Sequence, residues 1–182
     1  MFGGSGWGNK LRGVMSDLWT FELPAERWVF KGGQPGGVEL NGTCGPRGVA
    51  GTTFLPTARH AGYNFDLVAD GRMFVYGGEH DHEVDIFDDL WTVSLGSGPP
   101  LAATSAATVT AAQPTFAFQG VDCNVPNVLQ AHRGTQGIAS PENSPQSRFG
   151  GNGWVDEVGR AWIFGGGREG YTNDLWYWQQ QQ

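Results

Sequence analysis

Residues 79–85 are the segment of this sequence whose side chains are best suited to binding a metal ion or a polar partner. Six of the seven carry a carboxylate or an imidazole, in the order Glu79, His80, Asp81, His82, Glu83, Val84 and Asp85. Carboxylate oxygens and imidazole nitrogens together can hold a divalent metal ion. No third histidine is close in sequence, so contact with a polar partner and a solvated acidic loop are the alternatives. We therefore count residues 79–83 as candidate binding residues and assign no metal.

A second candidate segment contains Arg168, Glu169 and Tyr171. It follows a glycine pair, as residues 79–85 do, and it combines both charges with an aromatic ring. These three side chains are predicted to be exposed contact residues. The sequence has no nucleophile elbow, phosphate-binding loop or dinucleotide fingerprint. It therefore predicts no catalytic residue and no cofactor.

An internal repeat determines where both segments lie. Three glycine pairs each end a hydrophobic run, and each is followed by an Asp-Leu-Trp triplet. The pairs are Gly3-Gly4, Gly77-Gly78 and Gly165-Gly166, and the triplets begin at Asp17, Asp89 and Asp174 and end at Trp19, Trp91 and Trp176. The spacing is nearly constant, with 88 residues from Gly77 to Gly165 and 89 from Arg59 to Arg148. A duplicated supersecondary unit explains this register.

The repeated unit is predicted to contain four short β-strands, named a to d. The 30 glycines, 8 tryptophans and 11 phenylalanines favour an all-β fold with short strands and tight turns. Gly71 and Gly159 lie between strands a and b, where a two-residue hairpin turn requires positive φ. The predicted ranges are 61–68 and 150–155 for strand a, 72–76 and 161–164 for strand b, 18–23, 90–95 and 175–178 for strand c, and 28–31 and 115–119 for strand d.

These features resemble the kelch repeat, the four-stranded unit of a β-propeller superfamily that also includes galactose oxidase. The kelch pattern places an arginine before strand a, a glycine pair at the end of strand b and an aromatic pair on strands c and d. The matching residues are Arg59 and Arg148, the three glycine pairs, and Trp19 with Trp28, while Phe116 stands in place of the next copy's second tryptophan. Since the arginines, aspartates and tryptophans recur at one place in each unit, we assign them to packing and backbone bonding.

The resemblance implies that residues 1–182 are part of a kelch-type β-propeller with about two and a half four-stranded antiparallel blades. Residues 1–32 would end one blade, 33–120 would form a complete blade with an insertion at 96–114, and 121–178 would supply strands a to c of the next. A propeller closes with about 4–8 blades, so more blades are expected at one or both ends. The Ala/Thr-rich insertion is expected to be flexible, and the glutamine tail 179–182 disordered.

Composition excludes several classes of partner. The net charge is −7 and only two lysines occur, so nucleic acid and anionic membrane surfaces are poor partners. No apolar run is long enough to span a bilayer, and the first residues do not form a signal peptide. Cys44 and Cys123 could be free thiols, one disulfide, or halves of bridges to other segments. Asn41-Gly42-Thr43 is a glycosylation sequon, but the compartment stays unassigned.

Strand direction alternates within each unit, so the b–c and d–a loops share one face. These loops are the long ones, at 5–16, 79–88 and 167–173 for b–c and at 33–57 and 120–147 for d–a. Loops on a rigid scaffold commonly carry binding residues. We therefore predict a non-catalytic scaffold that binds a protein partner, or another ligand, through this face. The alternative is a metal-dependent enzyme resembling the iron-using specifier proteins, or a galactose-oxidase-like propeller, although no matching tyrosine set for copper is present.

Overall fold

The structure is a computed structural model. It describes residues 1–7, 12–33, 41–65, 71–80, 85–95, 113–120, 123–124, 126, 134–167 and 170–179. Ten β-strands lie in these residues. One turn of 3-10 helix, Leu23–Ala25, joins the second strand to the third. The strands are β1 Phe2–Trp7, β2 Arg12–Glu22, β3 Arg27–Gly32, β4 Tyr63–Phe65, β5 Arg72–Glu79, β6 Ile86–Ser94, β7 Thr115–Phe118, β8 Asn152–Val155, β9 Ala161–Phe164 and β10 Leu175–Trp178.

The strands form three antiparallel sheets in chain order. The first sheet has the order β1-β2-β3, the middle sheet β4-β5-β6-β7 and the last sheet β8-β9-β10. The same register recurs, because the aromatic residue before each glycine pair lies opposite the leucine of the following triplet. These pairs are Phe2 with Leu18, Tyr76 with Leu90 and Phe164 with Leu175. The prediction of an all-β fold with antiparallel units is confirmed, and the arrangement is compatible with part of a propeller.

The strand bounds differ from prediction mainly where strands b and c meet. Residues 5–16 were predicted to form a loop, but Ser5 pairs with Val14 and Gly6 with Gly13, so β1 and β2 continue as a hairpin. In the same way Glu79 pairs with Ile86 and belongs to β5. The glycine pair causes this, because it forms a bulge after which the ladder resumes. Residues 96–112 of the predicted insertion 96–114, and residues 180–182 of the predicted tail 179–182, lie outside the described residues.

Each face of the middle sheet packs against one neighbouring sheet. One face carries every second residue of β5, β6 and β7 and packs against the first sheet. There Phe116 contacts Phe2, with ring centroids 6.0 Å apart. The other face meets the last sheet, where Phe74 contacts Trp178 at 5.6 Å. Across this second contact the Tyr63 hydroxyl donates a hydrogen bond to the Gly165 carbonyl at 2.7 Å, and burial raises the pKa of Tyr63 to about 12.

The first glycine of each of the first two pairs is required by the packing between sheets. Gly77 has φ of +57°, and a Cβ atom there would lie 2.5 Å from the Arg148 carbonyl oxygen. Gly3, with φ of +67°, meets the Arg59 carbonyl in the same way. A side chain at either position would therefore have both an unfavourable backbone conformation and a steric conflict with the next unit.

Cys44 and Cys123 form a disulfide between the segment that precedes β4 and the segment that follows β7. Of the possibilities that the sequence left open, the structure therefore has the internal bridge. Asn124 follows the second cysteine, and its Oδ1 accepts a hydrogen bond from the Thr57 N–H at 2.9 Å. The disulfide thus holds together the two long d–a connections. Asn41 of the sequon is exposed.

Candidate functional site

The arginines that recur in the sequence are the centres of buried hydrogen-bond networks. Arg59 is 1% exposed, and its guanidinium binds both carboxylate oxygens of Asp89, the longer contact being 3.0 Å. Its Nη1 also donates to the Gly77 carbonyl at 3.1 Å. The Trp91 indole donates to the same carboxylate at 2.8 Å. One aspartate thereby fixes the arginine that precedes strand a and the tryptophan of strand c.

Arg148, Asp174 and Trp176 repeat this network in the last sheet. The two guanidinium–carboxylate contacts are 2.6 and 2.9 Å, and the Trp176 indole donates to Asp174 at 2.7 Å. Partial burial acts to raise the pKa of Asp174, but the hydrogen bonds from Arg148 and Trp176 outweigh it and hold that pKa well below its usual range. In the first sheet Trp19 donates to Asp17 at 2.7 Å. These residues therefore have a structural role.

The backbone of each arginine joins its own unit to the preceding sheet. The Arg59 N–H donates to the Met15 carbonyl at 3.1 Å, and the Arg59 carbonyl accepts from the Gly4 N–H at 2.9 Å. Arg148 makes the equivalent pair of bonds with Phe87 and Gly78, at 3.1 and 3.0 Å. We call this pair of backbone bonds the arginine clasp. It connects strands b and c of one sheet to the start of the next unit.

The lowered pKa of Asp174 predicts a specific dependence of stability on pH. Because its folded pKa is below the unfolded value, Asp174 stabilises the fold above about pH 4 and loses that contribution as the pH falls toward the folded pKa. The urea midpoint should therefore be nearly constant from about pH 7 to 5 and fall below about pH 4. Asp174→Asn should lower the midpoint at neutral pH and reduce its acid dependence.

Glu142→Gln provides the control for this measurement, because Glu142 is an exposed acid outside the network. This variant should show the parent's midpoint and the parent's acid dependence. An Asp174→Asn variant with an unchanged midpoint at pH 7 would show that the carboxylate does not stabilise the fold.

A second polar cluster, formed by His60, Glu79 and His80, does not recur in the last sheet. Glu79 is 8% exposed, and its Oε1 lies 3.3 Å from Nδ1 of His60. Its Oε2 and the Nε2 of His80 are buried without a hydrogen bond among the described residues. At the equivalent positions of the last sheet, Phe149 and Gly167 make only backbone bonds. The His60–Glu79 pair is therefore a feature of the middle unit alone.

The cluster adjoins a cavity of about 170 Å³ between the first and middle sheets. His60 lines this cavity together with residues of both sheets, among them Phe2, Gly3, Arg59 and Asn64. A carboxylate beside Nδ1 fixes the orientation of the His60 ring, so that Nε2 is the nitrogen left to meet a ligand. The arrangement can donate or accept one hydrogen bond at a sheet junction.

The described residues contain no group of three or more His, Cys, Asp or Glu side chains that could hold a metal ion. Three of the candidate binding residues in the first segment, Asp81, His82 and Glu83, lie outside the described part of the chain, as do Arg168 and Glu169. Of the remaining candidates, Glu79 is a buried strand residue rather than a loop residue, His80 is half-buried and Tyr171 is fully exposed.

An exposed tryptophan was not anticipated from the sequence. Trp7, the last residue of β1, is 78% exposed, and it lies at the same end of strand b as Glu79 does in the middle sheet. Tyr171 follows strand b of the last sheet. We call the margin formed by these strand ends the b-end edge. The residues before Trp7 are Gly-Gly-Ser-Gly, which show no alternation of apolar and polar side chains, so the sequence carries no local signal that the strand continues.

The structure thus consists of three similar antiparallel sheets, with exposed aromatic side chains at the b-end edge. Among its described residues there is no helix with the length and apolar character needed to cross a membrane. No protein-family model matches this chain, and neither does any curated protein.

Proposed function

We propose that this chain is part of a kelch-type β-propeller and serves as a non-catalytic scaffold that binds a protein partner through the b-end edge. The observation that supports this most directly is the exposure of two large aromatic side chains, Trp7 and Tyr171, at that edge. Aromatic residues of this size dominate the energetics of many protein interfaces. Their exposure in the free chain is consistent with burial on binding.

The division of polar residues supports the same function. The recurring arginine and aspartate side chains bind each other within the sheets, as in the Arg59–Asp89 ion pair. By contrast, the His60–Glu79 pair and His80 lie at the b-end edge and do not take part in those recurring ion pairs. Two buried polar atoms at this edge, Oε2 of Glu79 and Nε2 of His80, have no hydrogen bond among the described residues, and such atoms usually bond a partner or water.

Site-specific photo-crosslinking in the producing cells tests the proposal. A photoreactive phenylalanine analogue replaces Trp7 or Tyr171, and in the matched controls it replaces Val158 or Glu26, which are exposed in turns at the opposite ends of the strands. We expect the same discrete conjugate from both b-end positions and none from the control positions.

The identified conjugate is then purified and titrated against the parent chain and the Trp7→Ala and Tyr171→Ala variants. We expect each alanine variant to bind the partner at least tenfold more weakly than the parent, which corresponds to a loss of about 1.4 kcal/mol or more of binding free energy. Equal crosslinking at edge and control positions, or unchanged affinity of both alanine variants, would contradict the proposed binding edge.

A further inference from the structure

The sequon Asn41-Gly42-Thr43 lies in a segment whose backbone is held by hydrogen bonds. Thr43 and Leu55 form an antiparallel bridge, in which the Thr43 N–H donates to the Leu55 carbonyl at 2.8 Å and the Leu55 N–H donates back at 3.0 Å. The Gly42 N–H donates to the Thr57 hydroxyl at 2.9 Å. The residues of the sequon therefore have a defined orientation in the folded chain.

Gly42 is the inward-facing residue of the sequon. A Cβ atom there would overlap the Leu55 carbonyl oxygen and the Thr57 backbone nitrogen. Because successive residues of an extended segment point to opposite sides, the side chains of Asn41 and Thr43 point away from this contact, and both residues are exposed. Packing thus accounts for the glycine and leaves the asparagine and the threonine at the surface.

The exposed pair has the chemical groups that N-linked glycosylation requires. The acceptor is the side-chain amide of an asparagine, and the residue two positions later must carry a hydroxyl group. The residue between them is any residue except proline, and here it is the glycine that the packing requires. No second triplet of this kind occurs in the sequence, so Asn41 is the one acceptor that these residues offer.

The disulfide is an independent observation that points to the compartment where this modification occurs. Cys44 directly follows the sequon and is bonded to Cys123. Disulfides form and persist in oxidising environments, which include the lumen of the endoplasmic reticulum and the extracellular space, and they are rare in the cytosol. Oligosaccharides are transferred to asparagine in the same lumen. The sequon and the bridge therefore require one environment, although they are chemically unrelated.

The position of the two cysteines also keeps the sequon accessible when the transferase acts. The bridge joins Cys44 to a residue 79 positions later, so it cannot close until that later residue has been synthesised. Asn41 is therefore presented first on an unfolded chain, without the bridge beside it. After folding it lies at the surface, so an attached glycan extends into solvent and displaces no buried side chain.

We propose that Asn41 carries an N-linked oligosaccharide and that this protein is a product of the secretory pathway. In the transfer, Nδ2 of Asn41 forms a bond to the anomeric carbon of an oligosaccharide carried on a lipid pyrophosphate. The bond between that carbon and the pyrophosphate oxygen breaks, the lipid pyrophosphate leaves, and one amide proton passes to a base of the transferase. The step involves no oxidation or reduction.

The full protein, made in its producing cells as the parent and as matched variants, tests the proposal. Asn41→Gln removes the acceptor amide from its position, and Thr43→Ala removes the hydroxyl group. Thr43→Ser is the matched control, because it keeps the hydroxyl group at the same residue. Both positions are exposed, so the substitutions are compatible with the fold, which near-ultraviolet circular dichroism verifies.

Electrophoretic mobility is compared before and after digestion with peptide-N-glycosidase, and mass spectrometry of intact glycopeptides identifies the modified residue. Before digestion, we expect the parent and Thr43→Ser to migrate more slowly than Asn41→Gln and Thr43→Ala. After digestion, all four should migrate together, and the glycan should be found on the peptide that contains Asn41. This result does not depend on the binding edge, since no partner takes part in the measurement.

An unmodified Asn41 peptide from the parent overturns the proposal, whether or not the disulfide has formed. A parent that migrates with Asn41→Gln before digestion overturns it as well. So does a Thr43→Ala variant that keeps the slower mobility of the parent, because transfer to a sequon requires the hydroxyl group.

Discussion

Replacing Arg59 by leucine is expected to lower the free energy of unfolding by about 3–5 kcal/mol, the cost of leaving a buried partner charge uncompensated. Asp89 is 0% exposed, and within the described network its carboxylate is neutralised by Arg59 alone. Loss of the guanidinium also removes the hydrogen bond to the Gly77 carbonyl at 3.1 Å. Urea denaturation followed by tryptophan fluorescence measures the change, because Trp91 lies in the same network.

The chain provides its own matched control in Arg148→Leu. Arg148 makes the equivalent contacts, but the Asp174 side chain is 32% exposed whereas that of Asp89 is fully buried. Water can therefore solvate the orphaned Asp174, and the expected loss is smaller, about 1–3 kcal/mol. In the double variant Arg59→Leu with Asp89→Leu, the loss should be smaller than the sum of the two single losses, because neither charge is left unpaired. Equal losses at Arg59 and Arg148 would show that burial of the acid is not the determining factor.

Removing the disulfide is expected to have an effect of similar size. Cys44 and Cys123 are separated by 79 positions, and closing a loop of that length stabilises a fold by roughly 4 kcal/mol through the lost entropy of the unfolded chain. The Cys44→Ser and Cys123→Ser double variant should therefore unfold at a clearly lower urea concentration than the parent. Since these are the two cysteines of the chain, no other pairing can replace the bridge.

A reducing agent distinguishes the covalent effect from the effect of the serines. Reduction should lower the urea midpoint of the parent to that of the double variant and should leave the variant unchanged. A parent whose midpoint is insensitive to reduction would show that the bridge does not form or does not stabilise the fold.

The main strands could be predicted from the sequence because the residues that define them recur. The predicted bounds of β9 and β10 agree with the structure at 161–164 and 175–178. The prediction failed for 5–16, since short-range pattern alone does not show that a strand pair can continue beyond a glycine bulge. That error placed Trp7 in a loop and removed it from the candidate residues.

Long-range partnerships were the part that the sequence could not specify. The recurrence of Arg59 and Asp89 indicated a structural role for each, but their pairing across 30 positions follows from the strand order of the middle sheet. The disulfide likewise depends on two connections being brought together in space. The exposure of Tyr171, in contrast, follows from its place after the last glycine pair and could be predicted locally.

Because of the arginine clasp, the set of residues that one sheet needs for its hydrogen bonds extends beyond that sheet into the next unit. Arg59 belongs to the middle sheet through its side chain and to the first sheet through its backbone, and Arg148 relates the middle and last sheets in the same way. A break in the chain just before either arginine would leave the preceding sheet without the two backbone bonds that join it to the next unit. A break just after the arginine would keep those bonds but would separate the guanidinium from Asp89 or Asp174, so neither side of the arginine is a boundary between independent units.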